Sequence, residues 1–318
     1  MKYLIIGASG LGGAIGGFLI RKNNDVTFMV RGKNLEAIKE NGLIVRSDIK
    51  GEIKIDNVNI YNEEANVKYD VIFVCVKNYS LNYVTADIKK ASRGDTIVIP
   101  ILHVFGSGEV VVNKLNRLTV IEGCIYLFAY LQEYGEVIQS SDLFRIVLDG
   151  KKVIPSIRGT INKVKEDLQN CGIETILSDN IVRDTFINYC FIAAYSTAAI
   201  YFNSKAGFIK LDGLGRELFI ALSKEMESLA NAMGIELDVD IVEENLKLLD
   251  TLKGSATTAL QKDIADGKRN EMDGIILKIV TLGEENGIDL PNFRKIVSKI
   301  RNQKGAYYVE DTEFHQNL

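Results

Sequence analysis

Met1-Lys2-Tyr3-Leu4-Ile5-Ile6-Gly7-Ala8-Ser9-Gly10-Leu11-Gly12-Gly13-Ala14 opens the chain, and the reading of this stretch decides the fold. Tyr3–Ile6 is a short apolar run bounded by a glycine, the pattern of a strand covered on both faces. The glycines after it mark a tight turn, and a helical pattern runs on from there to about Lys22. A strand, a glycine-rich turn and a helix N-terminus together cradle a pyrophosphate, because N–H groups at the helix start and the helix dipole attract an anion. Working outward, Val26–Val30, Val71–Val76, Thr96–Ile101 and Leu118–Ile121 are further short apolar runs with helical stretches between most of them. Such alternation predicts a doubly wound α/β domain. Ile44–Ile60 alternates like hairpin strands with a turn at Lys50–Gly51, and Gly135–Val147 reads as an antiparallel pair appended to the sheet.

From about Ile176 the strand-like runs stop. Apolar residues recur at helical spacing through 185–202, 214–233, 239–252, 256–266 and 271–286, with Gly234 and Gly287 as terminators and Pro291 opening a last helix. Residues 1–178 are therefore expected to form a Rossmann-type dinucleotide-binding domain, and 179–318 an all-helical substrate and dimerisation domain. The boundary falls in 176–184. Whether Tyr307–Leu318 is ordered does not follow from the sequence.

Composition narrows the function classes. The 318 residues carry a net charge of −4 with both signs scattered, so the basic stripe of a nucleic-acid-binding protein is missing. Cys75, Cys124, Cys171 and Cys190 are widely spaced and form no C-x-x-C pair, which reads as buried thiols in a reducing compartment. Two histidines, His103 and His315, cannot build a His-rich metal centre. Thr185–Ser204 is uncharged for 20 residues, but its Asn, Ser, Thr and Tyr content fits a buried helix better than a membrane span. The chain opens directly on a strand, so a cytoplasmic protein without membrane attachment is expected.

The cofactor residues expected from the motif are Gly7, Ser9, Gly10, Leu11 and Gly12. Ser9 stands where G-x-G-x-x-G has its middle glycine, adding a Cβ at the pyrophosphate but also a hydroxyl that can bond a phosphate oxygen. Gly7, Gly10 and Gly13 also match the register of extended short-chain dehydrogenases, and Tyr201…Lys205 has their Tyr-x-x-x-Lys spacing. That pair lies in the helical half with no strands after it, so the match is accidental. At the end of the second strand an NAD site would carry Asp or Glu for the ribose 2′-hydroxyl. Here the residues are Arg31-Gly32-Lys33, which favours a 2′-phosphate and hence NADP(H). Lys77 follows Val71–Val76 at the sheet edge where ligands of this fold bind.

With these residues in view, the chain resembles the ketopantoate reductase (2-dehydropantoate 2-reductase) family over nearly its whole length. The resemblance is carried by the opening through Arg31, by Val76-Lys77-Asn78-Tyr79, and by Gly123-Cys124-Ile125-Tyr126 with Gly135-Glu136-Val137-Ile138. Asp263…Gly267 through Asp273 resembles the family's D-x-x-x-G-x-x-T-E-I-D, and Gly287-Ile288 with Pro291 its G-I-x-x-P. The resemblance implies reduction of the ketone of ketopantoate with NADPH. It also implies a lysine acting as general acid on the helix between the domains, two asparagines on the same helix face, and a substrate-contacting glutamate. Reading that face gives Asn188, Ile192 and Ser196. The lysine is absent, and Glu271 keeps the glutamate position. Ala259 stands at a substrate-contacting serine position, and His103-Val104 at the family's Asn-Gly.

An alkoxide formed by hydride addition needs a proton donor or a fixed positive charge. Lys205 lies 17 residues past Asn188 on the same helical pattern, about 25 Å away, and cannot serve. His103, at the carboxyl end of an expected central strand, is the candidate proton donor. Asn188 and Glu271 are candidates for the catalytic and substrate-binding set, and Ser196 for substrate binding. Tyr189 and Tyr195 are read as core. The expected function is NADPH-dependent reduction of a 2-oxo acid, with ketopantoate as the default substrate and a homodimer left open. Two alternatives stand beside it: the same scaffold acting on a less hydroxylated substrate, and an NADPH-binding sensor without turnover.

Overall fold

Parallel strands covered on both faces need apolar side chains on both, and β1 (Lys2–Ile6) buries every residue after Lys2. The computed structural model describes residues 1–302, so Tyr307–Leu318 lies outside the described residues. The chain continues through α1 (Gly10–Arg21), β2 (Asp25–Met29), α2 (Gly32–Asn41), β3 (Leu43–Ser47), β4 (Gly51–Ile55), β5 (Asn59–Ile60) and β6 (Val71–Val74). Then come α3 (Leu81–Ala91), β7 (Ile97–Pro100), α4 (Ser107–Lys114), β8 (Thr119–Val120), β9 (Gly123–Glu133), β10 (Glu136–Asp149), α5 (Pro155–Asn170) and β11 (Glu174–Ser178). Six strands form an all-parallel sheet in the order β5-β2-β1-β6-β7-β8.

Three expectations need correction here. The hairpin ends at Ile55, and Asn59–Ile60 instead joins the parallel sheet beside β2. Residues 135–147 are not a pair in themselves: β10 is one long strand, antiparallel to β9, and it builds a second sheet with β11, β3 and β4. Strand structure also runs past Ile176, because β11 pairs in parallel with the carboxyl end of β10.

The second sheet explains the glycines of α1, which is packed between the two sheets. A Cβ at Gly10 would strike the Ala129 carbonyl, and at Gly13 and Gly17 it would come within 2.7 Å of Val137 and Val45, all on the second sheet. On the opposite side, a Cβ at Gly16 would strike the Phe28 ring of the first sheet. Phe18 fills the remaining space edge-on to Phe144, with ring centroids 4.9 Å apart. Such a contact contributes about 0.5–1.5 kcal/mol beyond the area it buries. Tyr3, fully buried, donates its hydroxyl to Asp167 at 2.7 Å and so ties β1 to α5.

Contacts divide the chain into two units. Among the described residues, one comprises Met1–Leu102 and Gly106–Ile181, the other residues 182–302 together with His103–Phe105. In the second unit α6 (Ile181–Tyr201) is buried through Phe186, Tyr189, Phe191, Tyr195 and its alanines. Around it lie α7 (Ala206–Lys210), α8 (Leu214–Ala232), α9 (Ile241–Thr251) and α10 (Ala259–Ala265). A five-residue π-helical turn, Asp273–Leu277, runs into α11 (Lys278–Glu285), and α12 (Pro291–Asn302) follows. The hydroxyl of Tyr195 donates to the Ala256 carbonyl at 3.0 Å, satisfying the polar tip of a buried ring. Glu225, buried on α8, accepts from Asn292 N at 2.8 Å and Phe293 N at 3.1 Å, so its carboxylate caps the start of α12. Pro291 at the first helical position has no N–H to satisfy. Among the described residues, no helix is long and apolar enough to cross a membrane.

Candidate active site

At the carboxyl edge of β1, β2 and β6 the first unit has a cleft of about 270 Å³. It is lined by Gly7–Ser9, Arg31, Asn34, Lys77, Ser80 and Tyr83. Gly7 has φ +96°, and a Cβ there would lie 2.9 Å from the Cys75 carbonyl, so the turn requires glycine. Ser9 is the N-cap residue of α1, yet its hydroxyl caps no helical N–H. The first turn of α1 carries no acidic side chain, which leaves the positive end of its dipole facing the turn. These features suit an anionic diphosphate. The structure thus brings Gly7, Ser9, Arg31 and Lys77 to one cleft. Gly10, Leu11 and Gly12 sit behind it at the start of α1, where the two glycines serve close packing.

The second strand end is less simple than its sequence. Arg31 reaches the cleft with its guanidinium 2.7 Å from Asp87 on α3, while Lys33 is exposed and does not line the cleft. Sequence reading missed Asn34, whose Nδ2 donates to the Ala8 carbonyl at 3.2 Å and whose Oδ1 accepts from Gly135 N at 2.8 Å. It ties the glycine turn to the β9–β10 turn. Tyr83 and Ser80 were missed too, since they arrive from the α3 region with no motif to mark them.

The remaining predicted residues belong to the helical unit. His103 is half-buried, three residues beyond β7. That strand is next to the edge of the sheet, with only β8 outside it, which corrects the expectation of a central strand. Asn188 and Ser196 are both buried on α6, two turns apart, and Glu271 is buried just before the π turn. Three segments meet around Phe105. Its ring lies edge-on to Phe186 at 5.0 Å and stacks on Tyr189 at 6.1 Å. The Tyr189 hydroxyl donates to the Gly274 carbonyl at 2.8 Å, and Val104 packs where a Cβ on Gly274 would otherwise stand. The segments carrying His103, Asn188 and Glu271 are therefore packed together, whereas Ser196 lies about 12 Å along α6. Burial pushes the Tyr189 and Tyr195 phenols far above their ordinary value, in keeping with core roles. One further side chain enters this cluster: Lys278 donates from Nζ to the Phe105 carbonyl at 2.8 Å.

Comparison with known proteins agrees with this architecture. The ketopantoate reductase PanE/ApbA family model matches residues 3–149, and the ketopantoate reductase PanE/ApbA C-terminal model matches residues 180–304. The chain is 29% identical over 276 residues to the uncharacterized oxidoreductase YkpB of Bacillus subtilis, covering 86% of this chain and 89% of that one. It is 28% identical over 292 residues to the 2-dehydropantoate 2-reductase of Pyrococcus horikoshii, covering 92% and 93%. A solved D-mandelate dehydrogenase with NADH and anilino(oxo)acetate shares the fold, with a TM-score of 0.83 at 19% identity over 96% of this chain and 99% of that one.

Proposed function

The chain belongs to the ketopantoate reductase family, and from that premise we propose that it reduces a 2-oxo acid to the 2-hydroxy acid with NADPH. The observation that carries this reading is the cleft in which Gly7, Ser9, Arg31 and Lys77 converge. The glycine turn and the start of α1 suit the pyrophosphate, Ser9 offers a hydroxyl to it, and Arg31 suits a 2′-phosphate. When bound, the reduced nicotinamide supplies hydride to a carbonyl carbon. The chain's own residues must orient the 2-oxo acid and protonate the oxygen. Asn188 and Glu271 are assigned to substrate polar groups, and Ser196 to a more distant one. His103 is the proton donor that the sequence suggests.

A second reading keeps the reaction and changes the substrate. It is favoured by the α6 face, where Ile192 stands in the turn between Asn188 and Ser196 and offers no hydrogen bond to a hydroxyl. The test is NADPH oxidation with ketopantoate and then with simpler 2-oxo acids, alongside equilibrium binding of NADPH. Turnover with ketopantoate supports the first reading, and turnover only with less hydroxylated acids supports the second. Binding of NADPH without turnover on any acid would sink both and leave the sensor.

A further inference from the structure

We propose that Lys278 is the proton donor of this reduction, acting from α11 in place of the lysine absent at position 188. The inference rests on the reading of the protein as a 2-oxo acid reductase. Three observations lead to it. The half-buried Lys278 places its ammonium 2.8 Å from the carbonyl of Phe105. Phe105 belongs to the short His103–Phe105 segment, which follows β7 and groups with the helical unit. Phe105 is itself packed on Phe186 and Tyr189, the residues on either side of the Ile187-Asn188 pair of α6. The lysine head is thus held among the same segments that carry His103, Asn188 and Glu271.

The third observation is the π turn. Asp273–Leu277 directly precedes Lys278, and the extra residue in that turn rotates everything after it by about 100° relative to an unbroken α-helix. In an unbroken helix Lys278 would share a face with Glu271 and Ile275. The π turn instead turns it to the Phe105 carbonyl, and the Tyr189 hydroxyl bond to Gly274 holds the turn in place. Insertions of this kind recur at functional sites because they re-aim a side chain without ending the helix.

Hydride from the reduced cofactor bonds to the carbonyl carbon while the C=O π pair moves onto oxygen. An N–H bond of the Lys278 ammonium breaks, its proton forms the new O–H, and the nitrogen keeps the electron pair as a neutral amine. A bound reduced nicotinamide would supply that hydride and be left oxidised, and the Lys278 amine regains a proton from water. A cation also attracts the developing alkoxide before the proton moves. Neither Asn188, whose amide is no acid, nor Tyr189, whose hydroxyl is committed to Gly274, can take this part.

The test compares Lys278→Met, Lys278→Arg and His103→Gln with wild type. Oxamate, a 2-oxo acid analogue, is titrated by calorimetry into NADPH-saturated protein, and turnover on the best 2-oxo acid is measured in H₂O and D₂O. Thermal unfolding and NADPH affinity serve as controls for folding. Loss of the lysine should weaken oxamate by roughly 10–100-fold and lower kcat by roughly 10²–10⁴-fold. Lys278→Arg keeps a charged donor for Phe105 and should retain most of the oxamate affinity, but a guanidinium does not release its proton and kcat should stay low. Oxamate affinity unchanged in Lys278→Met would overturn the proposal. So would full recovery of kcat and its isotope effect in Lys278→Arg, which marks a structural tie, or a collapse of kcat confined to His103→Gln. If wild type reduces no 2-oxo acid, the parent reading has failed and the proton transfer with it, while Lys278-dependent oxamate binding would still identify an anion site.

Discussion

Arg31 offers a quantitative test of cofactor choice. Replacing it with alanine removes the only guanidinium that lines the cleft at the carboxyl edge of the sheet among the described residues. A charge-assisted hydrogen bond to a phosphate is worth about 1.5–3 kcal/mol. Against this stands the existing pair with Asp87 at 2.7 Å, with the Arg31 side chain 44% exposed and Asp87 14% exposed. A pair that open contributes about 0–1 kcal/mol and must be given up or shared when the phosphate arrives. The difference, about 1–2 kcal/mol, predicts that Arg31→Ala weakens NADPH by roughly 5–30-fold and NADH by much less. Asp87→Asn frees the guanidinium and should tighten NADPH by up to about 5-fold, with NADH again nearly unchanged. Both are read by titrating nucleotide fluorescence at two ionic strengths, since added salt should shrink the NADPH advantage. Equal weakening of both nucleotides by Arg31→Ala, or no change in their ratio, would refute the assignment of Arg31 to a 2′-phosphate.

Other expectations concern stability. Glu225→Ala strips the α12 start of its buried acceptor, for a loss of about 2 kcal/mol and a Tm lower by roughly 4–8 °C; an unchanged melting curve would mean that the cap contributes nothing. No disulfide joins the four buried cysteines, so an aromatic disulfide reagent at pH 8 should find almost no thiol in the native protein and four after unfolding. Burial pushes the Cys171 thiol up to about 11, and the Cys75 and Cys190 thiols well above their ordinary value. Between about pH 8.5, where an unfolded thiol ionises, and pH 11 the unfolded chain holds fewer protons than the native one. Stability should therefore fall as pH rises through that window, as urea midpoints would record.

What the sequence could and could not reveal follows from the range of each signal. That Gly7, Ser9, Arg31 and Lys77 share one cleft was legible because strand ends and the turn after β1 fix where a side chain emerges, whatever lies elsewhere in the chain. Asn34 and Tyr83 reach the same cleft from helices, and nothing in local spacing says which helical residue will turn inward. The second sheet was half visible: alternation in 44–60 and 135–147 announced strands, but pairing between β3 and β10 joins residues about ninety apart in sequence. β11 escaped notice because five residues between a glycine and a polar stretch carry too little pattern. Lys278 stayed hidden for another reason. The 271–286 stretch has ordinary helical spacing, and a reading at 3.6 residues per turn assigns that lysine to the face it would occupy without the π turn.

The glycines along α1 carry one more lesson. Of those from Gly7 to Gly17, only Gly7 lines the cleft; Gly10, Gly13 and Gly17 answer to the second sheet and Gly16 to the first. Mutational drift through this stretch is therefore constrained mainly by the neighbouring strands and not by the nucleotide. A descendant that had lost its cofactor altogether would keep nearly the same glycine spacing. The glycine signature thus reflects how the helix is wedged between its sheets, whereas Ser9 and Arg31 present their polar side chains to the cleft.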